Sequence, residues 1–553
     1  MTTVKCGKGW LGTMRGATSV AGARPVSGLL RDALLFWPLL NLLVSVAALS
    51  VGGAIAAWQL PVTVVAALAA AAARPGFSWA NTLLAGLLMA ALVVVAAHLS
   101  IWMIDQSWDS RAYHGPAVIA LREGWNPAYV THSCDWRADF CAQLFATAID
   151  HYPKAAWYGG AQFYALWGDI DAAKAPNLLM LVLVFLVAHH CVSRWLPGQT
   201  ACIWLSTFVL AGCPVLLTQL FSGYIDGLMA AALTCQILLL ADFLLLQERG
   251  SLWRAAVMLP YLANLKLTGL VYGLLFIALA ALYLLVRARH QLLPFFKWQA
   301  AAVLLALLLG FNPYGTNLRD HGNPFYPAYQ SASSVIDQQA APWFMAKDRV
   351  SQFLIATFSV QNGPLWWEPV LAAPLTPPMH SPSVETRFGA FGPLFSAIIL
   401  FAALLLPLLR RDIFGVLALA VLLSIFITSA AWWARLAPQA WLAVALVPLG
   451  ICRLYREGWR HELACALLLV MAANNMLVMR SAYYAQYRAA SQLHADLYKA
   501  KSGAFRVAPV TLWQGGDFGM YNRHKLAGVL QDFNASPEGC ASSKDNRIFV
   551  ICR

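Results

Sequence analysis

The chain has 553 residues, of which 60% are hydrophobic and only 11% charged, with a mean hydropathy of +0.61. Soluble domains carry roughly a quarter charged residues, so this composition excludes an ordinary soluble domain. The net charge of +13 would suit a nucleic-acid partner, but the basic residues form no single patch, which sets nucleic acid aside.

Taken in chain order, apolar runs recur at about the 20 residues that carry a helix across a bilayer core. They read as an all-α polytopic membrane protein with about thirteen transmembrane helices. The spans expected are 34-53, 55-73, 82-104, 177-196, 199-218, 225-246, 253-266, 268-287, 297-313, 390-409, 413-431, 436-452 and 462-479. The stretches 34-73 and 253-287 are too long for one crossing and short for two, so each reads as a tight hairpin. Lys5, Lys8, Arg15, Arg24 and Arg31 precede the first span, with no cleavable signal pattern.

Charge sets the orientation. Thirteen spans from an inside N-terminus place Arg74, Arg194, Arg249 with Arg254, Arg287 with Arg289 and Lys297, Arg410 with Arg411, and Arg453 with Arg456 and Arg460 on one side. That is the inner side by the positive-inside rule. The long segments 105-176, 314-389 and 480-553 then face outward. The first is rich in Trp, Tyr and charge, and its half-apolar stretches "AVIALREGW" and "FCAQLFATAI" read as helices lying in the interface plane. The second is studded with Pro and Gly. The third, ending "NRIFVICR", reads as a small water-exposed appendage with one or two strands. The division expected is a transmembrane domain over 1-479 and a C-terminal segment over 480-553.

The 11 cysteines show no zinc-type clustering along the sequence, and Cys202, Cys213, Cys235 and Cys465 lie in apolar runs as small hydrophobes. Cys134 with Cys141, and Cys540 with Cys552, are pairs that an oxidising outer compartment would allow to bridge or to stay free. His189 and His190 read as packing residues, and no metal site is assigned.

The richest stretch is "MIDQSWDSRAYHGPAVIALREGWNPAY", 103-129. A carboxylate beside a bilayer needs a reason. Asp109, with Asp105, Arg111, Tyr113 and His114 around it, could take a proton from an acceptor that attacks a lipid-borne electrophile. A plain interfacial anchor or helix cap is the competing role.

"WDSRAYHGPAVIALREGWNP" resembles the first outer-loop motif of a bacterial branch of the GT-C superfamily, membrane glycosyltransferases that use polyprenyl-phosphate sugars. These are related to protein O-mannosyltransferases and lipid A aminoarabinose transferases. The branch carries Asp-Ser, then Tyr-His-x-Pro; here stand Asp109, Ser110, Tyr113, His114 and, one position later, Pro116. Similar pieces follow in order: "HYPKAAWY" (151-158), "YIDG" (224-227), "NLKLTGL" (264-270), "GNPFYP" (322-327), "RFGAFGPLF" (387-395) and "ARLAPQAW" (434-441). The paired acidic residues of the mannosyltransferases are absent, since Ser110 follows Asp109.

The resemblance implies a GT-C-type bundle and inversion at the anomeric carbon, with Asp109 as the base and its pKa raised by the apolar surroundings. Asp105 is then a neighbouring support or metal-ligand candidate. Lys266, Arg435 and, more weakly, Lys174 are cations for the leaving phosphate, with snorkelling or interfacial anchoring as their rival roles. Tyr113, His114, Tyr152 and Asp226 are candidates on the sugar and acceptor side, Asp226 also serving as a helix cap. A divalent cation is permitted without being required. The function expected is transfer of a sugar from a polyprenyl-phosphate donor to a glycan, lipid or protein acceptor. It would take place at the periplasmic face of a bacterial inner membrane, in envelope glycan biosynthesis. A transporter or flippase for a lipid-linked glycan, or an inactive envelope-assembly subunit, are the alternatives. A transporter is expected to carry ionisable groups near the midplane.

Overall fold

Helices form on each of the thirteen apolar segments. The computed structural model describes residues 25-74, 76, 78-129, 149-327, 340-361, 369-371, 384-385, 387-389, 391-502, 506-509, 512-513, 516-527 and 548-552. The helices that build the bundle are α1 (Val26–Ser50), α2 (Gln59–Ala72), α3 (Trp79–Trp102), α4 (Gly115–Arg122), α5 (Ala155–Trp167) and α6 (Ala175–Trp195). They continue with α7 (Thr200–Ala211), α8 (Pro214–Gln219), α9 (Asp226–Leu246), α10 (Arg249–Leu265), α11 (Leu267–Arg287) and α12 (Leu292–Leu309). The last are α13 (Phe395–Leu405), α14 (Ile413–Ser424), α15 (Gln439–Leu454), α16 (Trp459–Lys501) and α17 (Gly519–Leu526). Strands are minor: β1 (Ser359–Gln361) pairs with β2 (Pro369–Leu371), β3 (Arg506–Pro509) with β6 (Phe549–Cys552), and β4 (Leu512–Trp513) with β5 (Gly516–Asp517), all antiparallel.

This is an all-α membrane protein. Among the described residues, seven helical stretches are long and apolar enough to cross a membrane: α1, α3, α6 with its preceding turn, α9, α11, α12 with its preceding turn, and α16. Five other apolar helices are shorter, so the thirteen expected crossings exceed the seven that length and composition support. The segment 199-218 breaks into α7 and α8 at Gly212-Cys213-Pro214, where proline cannot continue a helix. The stretch 253-287 does break into a helix pair, with Lys266 extended between α10 and α11.

Burial decides the layers. Helix α9 buries every residue from Asp226 to Phe243, so it is the central column. Helices α3 and α12 bury only a third or less of their most apolar windows, so their leucine and valine faces are the ones left for lipid. Between apolar helices in lipid, close packing rather than water exclusion holds neighbours together. Ala230, Ala231 and Ala232 on α9 permit that approach, and Gly227 meets the backbone of Leu216.

Three expectations change. Helix α1 begins at Val26, so Arg31 lies inside it, buried against Asp32, rather than preceding the first span. Helix α4 is covered by protein rather than presenting an open apolar face, since Gly115 to Leu121 are all buried. The tail covers them, with Tyr521 packed over Gly115. The boundary at 479/480 falls inside α16, which runs unbroken for 43 residues, or about 65 Å, twice a bilayer core. The tail after it returns to the bundle. Tyr521 donates to Asp171 Oδ1 at 2.7 Å, and Lys525 meets Asp171 Oδ2 at 2.7 Å and Asp169 at 2.9 Å.

The bundle has two charged ends. At one, Arg254 grips both oxygens of Asp32 at 2.9 and 3.0 Å, and Arg194 reaches Asp242 at 2.8 Å. At the other lie Asp109, Asp226, Lys266 and Arg435. Helix α9 runs from Asp226 to near Asp242 between them, its 21 residues measuring about 31 Å.

Candidate functional site

The site begins with a local irregularity. After α3 the chain forms a π-helical turn, Ser110–His114, before α4. Such turns re-aim side chains and often mark functional positions. This one brings the Tyr113 hydroxyl back over Asp109, donating to Oδ2 at 3.0 Å. Asp105 fixes the approach: its Oδ1 accepts from Ser107 N at 2.8 Å and its Oδ2 from Gly223 N at 2.7 Å. Gly223 lets the two segments approach closely here, since a Cβ would press on the Ser110 hydroxyl. That contact sets the next residue, Tyr224, against Asp109, whose backbone N–H donates to the Tyr224 hydroxyl at 3.3 Å.

Arg435 is the hub. It leaves a short 3₁₀ turn, Ala434–Leu436, just before α15. Its Nη1 stands 2.6 Å from Asp109 Oδ2 and 3.8 Å from Asp226 Oδ2, and its Nη2 is 3.6 Å from Glu385 Oε2. The guanidinium lies against Trp433 at 4.4 Å and Tyr224 at 5.0 Å. Its Nε finds no acceptor among the described residues. Lys266 pairs with Asp226 and keeps its side chain about a quarter exposed. Glu385 accepts from the Tyr224 hydroxyl and lies 3.9 Å from Arg387. Two contacts anchor its loop: Trp433 Nε1 donates to the Glu385 carbonyl, and Gln219 Nε2 donates to the Val384 carbonyl at 2.9 Å. Three carboxylates and three cations from five parts of the chain therefore face one another.

Burial pushes the Asp109 carboxyl up, but the Arg435 guanidinium, His114 and the Tyr113 hydroxyl outweigh it and hold the group below the ordinary carboxylate range. The raised value expected from an apolar setting is thereby corrected; the apolar setting is present, but it comes with a cation. Burial lowers His114 to about 4. Its Nδ1 accepts from Trp157 Nε1 at 2.8 Å, which fixes a neutral ring with the proton on Nε2. Behind His114 and Tyr224 a small cavity of about 30 Å³ reaches Lys174 and Tyr521, with room for a water but not a sugar.

Of the residues expected from the sequence, Asp109, Tyr113, His114, Asp226, Lys266 and Arg435 meet here. Tyr152 stands at the rim, 37% exposed, edge-on to Tyr113 at 6.1 Å. Asp105 supports the loop from behind. Lys174 does not join the cluster: its ammonium is held 2.5 Å from both Asp171 Oδ1 and the Met103 carbonyl, under the docked tail. Glu385 and Arg387 were missed. Their signal was the "ETR" immediately ahead of "FGAFGPLF", in a segment otherwise poor in charge.

The carboxylates are not turned toward a shared cation position. Asp109 faces Arg435, Asp226 faces Lys266, and Glu385 faces Tyr224, Arg435 and Arg387. The arrangement fits a site whose cations await an anion better than one whose anions await a metal. Away from the site, Cys213 and Cys235 are buried small hydrophobes, as expected, and Cys191 is buried as well. Cys202 and Cys465 are not simply that, for they meet Cys452 and His461 at the other end of the bundle. This corrects the absence of clustering read from the sequence. Cys134, Cys141 and Cys540 lie outside the described residues.

No family model, curated protein or solved structure matches this chain.

Proposed function

We propose that the chain is a membrane glycosyltransferase. It would take a sugar from a polyprenyl-phosphate donor and pass it to a glycan, lipid or protein acceptor at the outer, periplasmic side of a bacterial inner membrane. The observation that carries this reading is Arg435, a planar cation with an unused Nε, sharing three carboxylates beside a partly exposed Lys266. Such a fork is suited to phosphate oxygens.

In this reading the donor phosphate draws Arg435 away from Asp109 and is held by Arg435 and Lys266. Asp109, relieved of its partner, rises toward the range of a useful base. The acceptor oxygen or nitrogen then forms a bond to the anomeric carbon from the face opposite the phosphate. The carbon–oxygen bond to phosphate breaks, its electron pair leaves on polyprenyl phosphate, and the acceptor proton passes to Asp109. Tyr113, Tyr152 and neutral His114 offer hydrogen bonds and ring faces to the sugar or acceptor.

The transporter reading draws less support. In the first six of the long spans, the described Asp, Glu, Lys and Arg lie within two turns of a helix end or in the turn before it. Proteoliposomes loaded with a labelled polyprenyl-phosphate sugar and an acceptor extract test the proposal. The native chain is expected to transfer label, and Asp109→Asn to do so about 10²- to 10⁴-fold more slowly. Equal transfer by both overturns the base assignment. Movement of the labelled lipid across the bilayer with no transfer to any acceptor favours the flippase.

A further inference from the structure

Four side chains far apart in sequence converge at the bundle end away from Arg435. Cys202 lies in the first turn of α7, Cys452 in the last turn of α15, and His461 and Cys465 in the first turns of α16. The His461–Cys465 spacing of four residues puts both on one helix face. The three Sγ atoms and an imidazole nitrogen all lie within 4.8 Å of one another. Cys202 Sγ is 3.2 Å from Cys465 Sγ and 3.9 Å from His461 Nε2, and Cys465 Sγ is 3.4 Å from His461 Nε2.

From this geometry we propose a tetrahedral Cys₃His site for a borderline-soft divalent cation, zinc being the natural occupant. Sulfur ligands at about 2.3 Å and a nitrogen at about 2.0–2.1 Å, placed tetrahedrally, stand roughly 3.5–3.8 Å apart, so the observed separations of 3.2, 3.4 and 3.9 Å need shifts of a few tenths of an ångström, and Cys452 a somewhat larger one. Two further features point the same way. His461 Nδ1 lies 3.0 Å from the Tyr455 carbonyl, so its proton is on Nδ1 and the Nε2 lone pair faces the sulfurs. That outer hydrogen bond is the usual way a zinc-bound histidine is oriented. Cys452 is held by its own carbonyl, which accepts from Gln199 Nε2 at 3.1 Å. The neighbouring Arg453 is tied to Asp412 at 2.9 Å.

Binding would release up to three thiol protons to water, leaving three thiolates and a neutral imidazole on the ion. The resulting excess of one negative charge sits in a chain segment carrying Arg453, Arg456 and Arg460. The site would staple α7, α15 and α16 together. Helix α15 starts four residues after Arg435 and is 16 residues long, so the metal lies about 24 Å from the hub and acts on the fold rather than on the transfer chemistry.

The test is metal analysis of the full chain, purified in detergent without chelators and with thiols kept reduced, followed by cobalt(II) exchange. About one zinc per chain is expected, and a cobalt form with a thiolate-to-metal charge-transfer band and intense tetrahedral d–d bands. Cys465→Ser and His461→Gln should each weaken zinc binding at least ~10-fold with helix content unchanged. The native-chain measurements stand even if a variant misfolds. A folded native chain with neither stoichiometric metal nor a cobalt band overturns the proposal. So does a chain two hydrogens lighter from a Cys202–Cys465 bridge.

Discussion

The two charged ends of the bundle differ in how completely their ions are satisfied. At one end Asp32 receives both arms of Arg254 and Arg31 as well, and Asp242 receives Arg194, Trp195 Nε1 at 2.9 Å and the Ser251 hydroxyl at 2.5 Å. Both carboxylates are fully buried. At the Arg435 end one guanidinium is divided among three carboxylates, two of them at 3.6 and 3.8 Å, with one nitrogen unused among the described residues and Lys266 and Glu385 partly open to solvent. A saturated cluster has nothing to offer a ligand. A guanidinium with one short contact and two long ones can exchange partners at small cost. The Asp32 end ties helices together, whereas the Arg435 end keeps cations whose partners are distant or open to solvent.

The largest test of this contrast removes the hub. Arg435→Gln should abolish transfer and, by leaving buried carboxylates without their counter-charge, cost about 3–5 kcal/mol of stability, read by thermal unfolding in detergent. Asp32→Ala should cost a similar ~3–5 kcal/mol, since it strands Arg31 and Arg254. Transfer per folded molecule should be unchanged there, and that split between stability and activity is what separates the two ends. A smaller effect belongs to His114. Its folded value of about 4 lies below the ordinary 6.5, so between those values the unfolded chain binds a proton that the folded chain refuses. Stability from this group is therefore full above pH 6.5 and falls as pH drops toward 4, by about 2 kcal/mol at pH 5. The melting temperature should fall less between pH 7.5 and pH 5 in His114→Gln than in the native chain.

Much of the fold was legible because lipid imposes long apolar runs, and the helices α1 to α3, α6, α9, α11 and α12 sit where those runs predict. Boundaries were harder. Arg31 and Asp32 look like a flank but can lie inside α1, because they pair with each other and Arg254, from 222 residues away, bonds both Asp32 oxygens. In the site, Asp109, Asp226, Lys266 and Arg435 stood out as charges beside the ends of apolar stretches or, for Lys266, in the turn between two. Lys174 gave the same signal and went elsewhere, since only the folded tail supplies Tyr521 and Lys525 around its partner Asp171. Glu385, Arg387 and the Cys202–Cys452–His461–Cys465 gathering depend on contacts between distant segments, which no local pattern announces.

The central claim, that Asp109 and an incoming phosphate compete for Arg435, is tested most directly by the affinity of detergent-solubilised protein for polyprenyl phosphate. Asp109→Asn should bind at least as tightly as the native chain, because the rival acceptor for the guanidinium is weakened, while Arg435→Gln should bind at least ~10-fold more weakly, the loss of a charge-assisted pair. Weakened binding in Asp109→Asn together with native-like binding in Arg435→Gln would contradict the account.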